Sequence, residues 1–135
     1  MKIVIDTNVL ISGVFFGGNP EKVLRAAVNR QDVTACVTPE IADEYQEIVR
    51  EMINRKQGHL NKDILAPLIG AMEFVVPVSK VEVCRDPDDD KFLACALDAV
   101  AYYIVSGDAD LLVIENFENI KIITAKDFCE RFLDK

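Results

Sequence analysis

A single α/β domain built on a mainly parallel sheet is the fold this sequence predicts, and three observations carry the prediction. Short apolar runs rich in Val and Ile alternate along the chain with amphipathic stretches of helical period. Asn19-Pro20 and Thr38-Pro39 each join a capping residue to a first-turn proline where an amphipathic stretch begins. No repeat, low-complexity tract or composition shift marks a second domain, and 135 residues suit one domain spanning 1–135.

Taken in order, Lys2 to Asp6 reads as a buried strand. Asn19-Pro20 opens a helix running to Arg30, with Val23, Leu24, Ala27 and Val28 on one side. Val33 to Val37 is the second strand, and Thr38-Pro39 starts a helix reaching to about Lys56. Gln57 to Asn61 is a polar break containing His59, the only histidine, which reads as a plain loop residue. Lys62 to Glu73 has a helical pattern that Pro67 should kink or divide. Phe74 to Val78 is strand-like, Arg85 to Asp89 a loop, and Asp90 to Ala99 a helix. Ala101 to Val105 is the clearest central strand. Ser106-Gly107-Asp108 then turns the chain into a short helix containing Leu111 and Leu112. Ile120 to Ile123 is a further strand, after which Thr124 caps a last helix carrying Phe128, Phe132 and Leu133.

Composition excludes several classes. Half of the residues are apolar, which argues against disorder. The longest apolar run, Ala99 to Val105, is far short of the roughly 20 residues that a membrane span needs. Asp6 interrupts the opening apolar run too early for a secretory signal. With no C-x-x-C pair, Cys36, Cys84, Cys95 and Cys129 read as reduced thiols of a cytoplasmic chain. One histidine leaves little for a His-based zinc site or a Ser-His-Asp triad.

The net charge of −8 argues against passive binding of nucleic acid, unless the acids gather to hold cations. Their positions favour gathering. In a parallel α/β sheet, ligands bind beyond the carboxyl ends of the strands. Asp6 ends the first strand, and Asp108 follows the one ending at Val105. Asp90 opens the helix feeding that strand, and Glu44 lies on the second turn of the helix after Val37. Glu44 borders the apolar stripe formed by Ile41, Tyr45, Ile48, Val49, Met52 and Ile53. Asp6 at a buried strand end costs several kcal/mol unless it is paired or metal-bound. Thr7 and Asn8 stand next to it and could orient it, although Asp6 could instead cap the following turn. In the run Asp86-Pro87-Asp88-Asp89-Asp90, one of Asp88 or Asp89 is expected to cap, and Asp90 to point inward. Convergent carboxylates without His or Cys select Mg²⁺ or Mn²⁺, ions that activate water and clamp phosphate.

These residues resemble a PIN domain, in particular the small prokaryotic group that includes VapC-type toxins. Ile5-Asp6-Thr7-Asn8-Val9-Leu10 is similar to the family's opening motif, and the stretch from Thr38 to Glu44 to its second. Asp86 to Ala94 resembles the third motif, with Asp90 as the acid on the metal side, and Ser106 to Leu112 the fourth. The resemblance implies a three-layer α/β/α sandwich and a ribonuclease dependent on Mg²⁺ or Mn²⁺, leaving 5′-phosphate and 3′-hydroxyl ends. It implies that Asp6, Glu44, Asp90 and Asp108 are catalytic and hold metal, with Asp110 as an auxiliary ligand. Thr7, Asn8 and Ser106 would orient them or the substrate. It also implies an RNA substrate, a small antitoxin protein as partner in a toxin–antitoxin pair, and a homodimer.

Other readings fit less well. A phosphatase of the haloacid dehalogenase type needs a second acid where this chain has Asn8. A response-regulator receiver needs an early acid pair and a late strand-end lysine. The alternatives that keep the fold are a binding module without cleavage and a nuclease that processes RNA without being a toxin.

Overall fold

The computed structural model describes residues 1–56 and 58–134. The chain runs β1 (Lys2–Ile5), α1 (Thr7–Phe15), α2 (Gly18–Asn29), β2 (Thr34–Val37), α3 (Pro39–Asn54), α4 (Lys62–Ala71) and β3 (Glu73–Phe74). A 3₁₀ turn (Pro87–Asp89) leads into α5 (Asp90–Ala99), followed by β4 (Tyr103–Val105), α6 (Ala109–Leu112), β5 (Asn116–Phe117) and β6 (Ile120–Ile123). The chain closes with α7 (Ala125–Phe128) and a π-helical turn (Cys129–Leu133).

The strands form one sheet in the order β3-β2-β1-β4-β6-β5. Every pair is parallel except β5 with β6. Because parallel crossovers are right-handed, the steps from β1 outward to β3 carry α1 to α4 over one face. The return to β4 and β6 carries α5 and α6 over the other. The packing agrees: α1 lies on α2 and α2 on α4, while α5 lies across β1, β2 and β4. This is the expected three-layer sandwich. The strand order reverses between β1 and β4, so the carboxyl ends of these two strands flank the crevice where such sheets bind ligands.

Burial follows the apolar pattern. Ile3, Val4 and Ile5 of β1, Cys36 and Val37 of β2, and Ile104 and Val105 of β4 are excluded from solvent. The four cysteines are free thiols, as expected, with Cys36, Cys95 and Cys129 buried. Among the described residues, no helix is long and apolar enough to cross a membrane.

Several elements differ from the sequence reading. Helix α1 was not expected, since Thr7, Val9, Ile11 and Val14 are β-branched and disfavour helix. Most of its residues are buried, so no polar face reveals its period. Asn19 does not cap α2, which starts one residue earlier, after Gly17 at φ +85°. Pro67 does not divide α4. Strand β3 is shorter than Phe74 to Val78: Pro77 has no N–H to add, and the Val78 and Ser79 amides donate to Asp98 instead. Strand β5 was missed because its hairpin turn contains no glycine; Glu118 takes φ +55° there. Of the polar break, Gln57 lies outside the described residues. The His59 and Asn61 amides donate to Phe15 and Val14, pinning that loop to the end of α1.

Candidate metal centre

Asp6 leaves β1 at the switch point and occupies the N-cap position of α1, yet its side chain makes no cap hydrogen bond. The backbone carbonyl accepts the Val9 and Leu10 amides instead. The Asn8 and Thr7 amides at the start of α1 favour the charged carboxylate only weakly. Its residue is only 4% exposed, and Oδ2 accepts the Ser106 hydroxyl at 2.7 Å. Ser106 is fully buried, and its Oγ also accepts the Asp108 amide at 2.9 Å. One hydroxyl thus links the ends of β1 and β4. Burial pushes the Asp6 carboxyl above its ordinary range. The Ser106 hydrogen bond opposes the rise and the Asp108 charge adds to it.

Asp86 to Asp90 sort into three different jobs. Asp86 Oδ1 accepts the Asp88 amide at 3.0 Å and so caps the 3₁₀ turn, while Asp89 stands at the N-cap position of α5, as expected of one of Asp88 or Asp89, but makes no side-chain cap hydrogen bond. Asp90 Oδ1 accepts the Cys84 and Val83 amides at 2.7 and 3.1 Å, which ties down the preceding loop. Burial works against the Asp90 charge, but these donors prevail and hold the carboxyl below its ordinary range. Asp89 is 8% exposed, and its Oδ2 has no hydrogen-bond partner among the described residues.

Asp89, Asp108 and Asp110 each offer one ligand atom, and the three atoms lie within 4.8 Å of one another. The acid brought inward is thus Asp89, where the sequence reading expected Asp90. The cause is register. One step along a helix turns the side chain by about 100°, and α5 begins at Asp90. Burial, followed by the charges of Asp108, Asp6 and Asp86, pushes the Asp89 carboxyl up to about 6. Asp108 also caps α6, its Oδ1 accepting the Asp110 amide at 2.8 Å.

Glu44 is half-buried on α3, outside this group of three. Its Oε2 accepts the Thr7 hydroxyl, and its Oε1 pairs with Lys91 Nζ at 2.7 Å. Thr7 is buried directly after Asp6, and Asn8 is exposed on the first turn of α1. Lys91 went unremarked in the sequence, although a signal was there. A cation in the first turn of a helix opposes the macrodipole and so calls for an acidic partner. Burial alone would lower the Lys91 ammonium. The Glu44 hydrogen bond and charge, helped by Glu40 and Asp88, raise it above its ordinary value.

The donor set suits a hard divalent cation. It is all carboxylate oxygen, its members repel one another, and one buried oxygen lacks a partner.

A family model described as a PIN domain matches residues 2–110 of the chain. An uncharacterized protein of Methanocaldococcus jannaschii is 30% identical over 144 residues, covering 98% of this chain and 92% of the relative. No solved structure gives a significant match.

Proposed function

The chain belongs to the PIN-domain family of metal-dependent nuclease modules, and from that premise we propose that it hydrolyses RNA phosphodiester bonds with Mg²⁺ or Mn²⁺. The observation that carries the reading is the group Asp89, Asp108 and Asp110 with the unpartnered Asp89 oxygen. These three would hold the ion, and Asp6 would add a fourth charge beside them. The bound ion supplies an activated water and a clamp on the scissile phosphate.

The chain's own residues do the rest. Ser106 holds Asp6 and the Asp108 turn in one arrangement through its single hydroxyl. The Thr7 to Glu44 hydrogen bond ties the start of α1 to α3. Asp90 fixes the loop leading into the acidic turn. Asn8, exposed nearby, is left to contact substrate. Cleavage leaves a 5′-phosphate on one fragment and a 3′-hydroxyl on the other.

We also propose a cytoplasmic toxin, restrained by a small antitoxin protein, that pairs as a homodimer. Exposed apolar side chains support protein contacts. Phe74 and Ile69 are 59% and 49% exposed beside an apolar groove between α3 and α4.

The test is cleavage of end-labelled single-stranded and structured RNA with Mg²⁺, Mn²⁺ or EDTA. Metal-dependent cleavage is expected, reduced by roughly 100-fold or more in Asp89→Asn and much less in Asp90→Asn. Equal losses in the two variants would remove the distinction between them. Metal binding without any cleavage would leave the centre standing and the RNA substrate wrong. For the toxin, expression should arrest growth, and a small protein encoded beside it should relieve the arrest.

A further inference from the structure

Tyr45 lies on the apolar side of α3, in the stripe that also holds Ile41 and Val49. It is buried, and it is the member of that stripe with a hydrogen to donate. Its hydroxyl donates to the backbone carbonyl of Ile5, the last residue of β1. A buried tyrosine usually finds a partner for its hydroxyl, but this partner stands directly before Asp6. The Ile5 carbonyl and the Asp6 N–H belong to one planar peptide unit. That N–H donates to the Val105 carbonyl at 3.0 Å, so the Ile5 carbonyl turns away from β4. On the other side, β1 is paired with β2 at Lys2 and Ile3, which leaves Ile5 beyond that ladder. Tyr45 supplies the donor there.

We propose that Tyr45 is a positioning residue of the metal centre: its hydroxyl, acting through the Ile5 carbonyl, fixes the direction in which Asp6 leaves β1 and the place of α3 beside that strand end. The inference rests on the metal-centre reading above and adds to it a residue that touches neither ion nor substrate.

Two further contacts support it. Glu44, the residue before Tyr45, accepts the Thr7 hydroxyl. Consecutive residues of α3 therefore hold the two neighbours of Asp6 in the chain. Ser106 holds the Asp6 carboxylate itself at 2.7 Å. Asp6 is thus held through its peptide, through its successor and through its own side chain. Packing fills space, whereas a hydrogen bond fixes direction. A phenylalanine would fill the same space and leave the Ile5 carbonyl without this donor. Groups that must converge on one ion from a strand and from a helix need such ties close to them.

The experiment compares metal affinity with stability. Mn²⁺ binding is measured by calorimetry and electron paramagnetic resonance in the wild type, Tyr45→Phe and Val49→Ala, beside unfolding in urea. Val49 is buried one turn further along α3, and its truncation loosens packing without touching the Ile5 carbonyl. Both variants should be less stable than the wild type. Tyr45→Phe should weaken Mn²⁺ binding by about threefold or more, and Val49→Ala by less than that. A folded Tyr45→Phe that loses less than about threefold, or a Val49→Ala that loses as much as Tyr45→Phe, reduces Tyr45 to packing. Either result overturns the inference while the metal centre stands. Should Tyr45→Phe not fold, nuclear magnetic resonance of the wild type labelled at tyrosine Cζ decides. Saturating Mg²⁺ should shift the Tyr45 signal more than those of Tyr102 and Tyr103, and a Tyr45 signal that moves no more than theirs overturns the inference. A wild type that binds no Mn²⁺ removes the metal centre itself, and the inference with it.

Discussion

A buried carboxylate oxygen without a donor favours a proton or a cation, and Asp89 Oδ2 is in that position among the described residues. Its ordinary value of 3.8 is pushed up to about 6. Below pH about 4, folded and unfolded chains both carry the proton. Between about 4 and 6 the unfolded chain has lost it while the folded chain keeps it, so stability falls as pH rises. Asp6, also raised, acts in the same sense. Asp90 and Asp98, held low by backbone donors, contribute stability above about pH 4 that is lost on acidification. In EDTA, the Asp89 contribution to the wild-type unfolding midpoint should therefore fall between about pH 4 and 6. Asp89→Asn should flatten that decline and raise the pH 7 midpoint by about 1 kcal/mol, roughly 3–5 °C. An unchanged slope in the variant would show that the Asp89 carboxylate is solvated. The acidic run itself was legible because four acids in five residues are conspicuous. Which one turns inward was not, because it depends on where α5 begins.

At the scale of elements, the contact between α1 and α2 is set by Gly13. A Cβ built there would stand 2.6 Å from Leu24 Cδ1 and 2.9 Å from the Pro20 carbonyl carbon. The backbone of α2 cannot yield cheaply. Gly13→Ala should cost about 1–3 kcal/mol by overpacking, measured by urea unfolding, even though alanine is the better helix former. A neutral or stabilising result would mean that the two helices separate freely. Helices with a polar face were readable in advance. The Thr38 cap of α3 and the Thr124 cap of α7 both form as expected, with their hydroxyls accepting the Ile41 and Asp127 amides. Helix α1 was unreadable for the opposite reason: a segment enclosed on most sides shows no period, and its β-branched residues favour strand.

For the whole molecule, the sheet order places the ends of β1 and β4 side by side, and the acids at those ends store repulsion that a cation relieves. Binding to the folded chain alone stabilises it by about 2.7 kcal/mol at one hundred times the dissociation constant. Mn²⁺ should thus raise the wild-type midpoint at pH 7 by roughly 8–12 °C, and that of Asp89→Asn much less. A wild type that Mn²⁺ does not stabilise would refute the centre. By itself, the sequence determined the strand and helix periods, most of the element boundaries and the acids' place at strand ends, because these depend on local preference and on chain order. Only the tertiary structure decided that Asp89 stands with Asp108 and Asp110, that Asp90 faces its own loop and that Glu44 is held by Lys91. Those outcomes depend on side-chain direction and on donors brought from distant parts of the chain, which one-dimensional spacing does not contain.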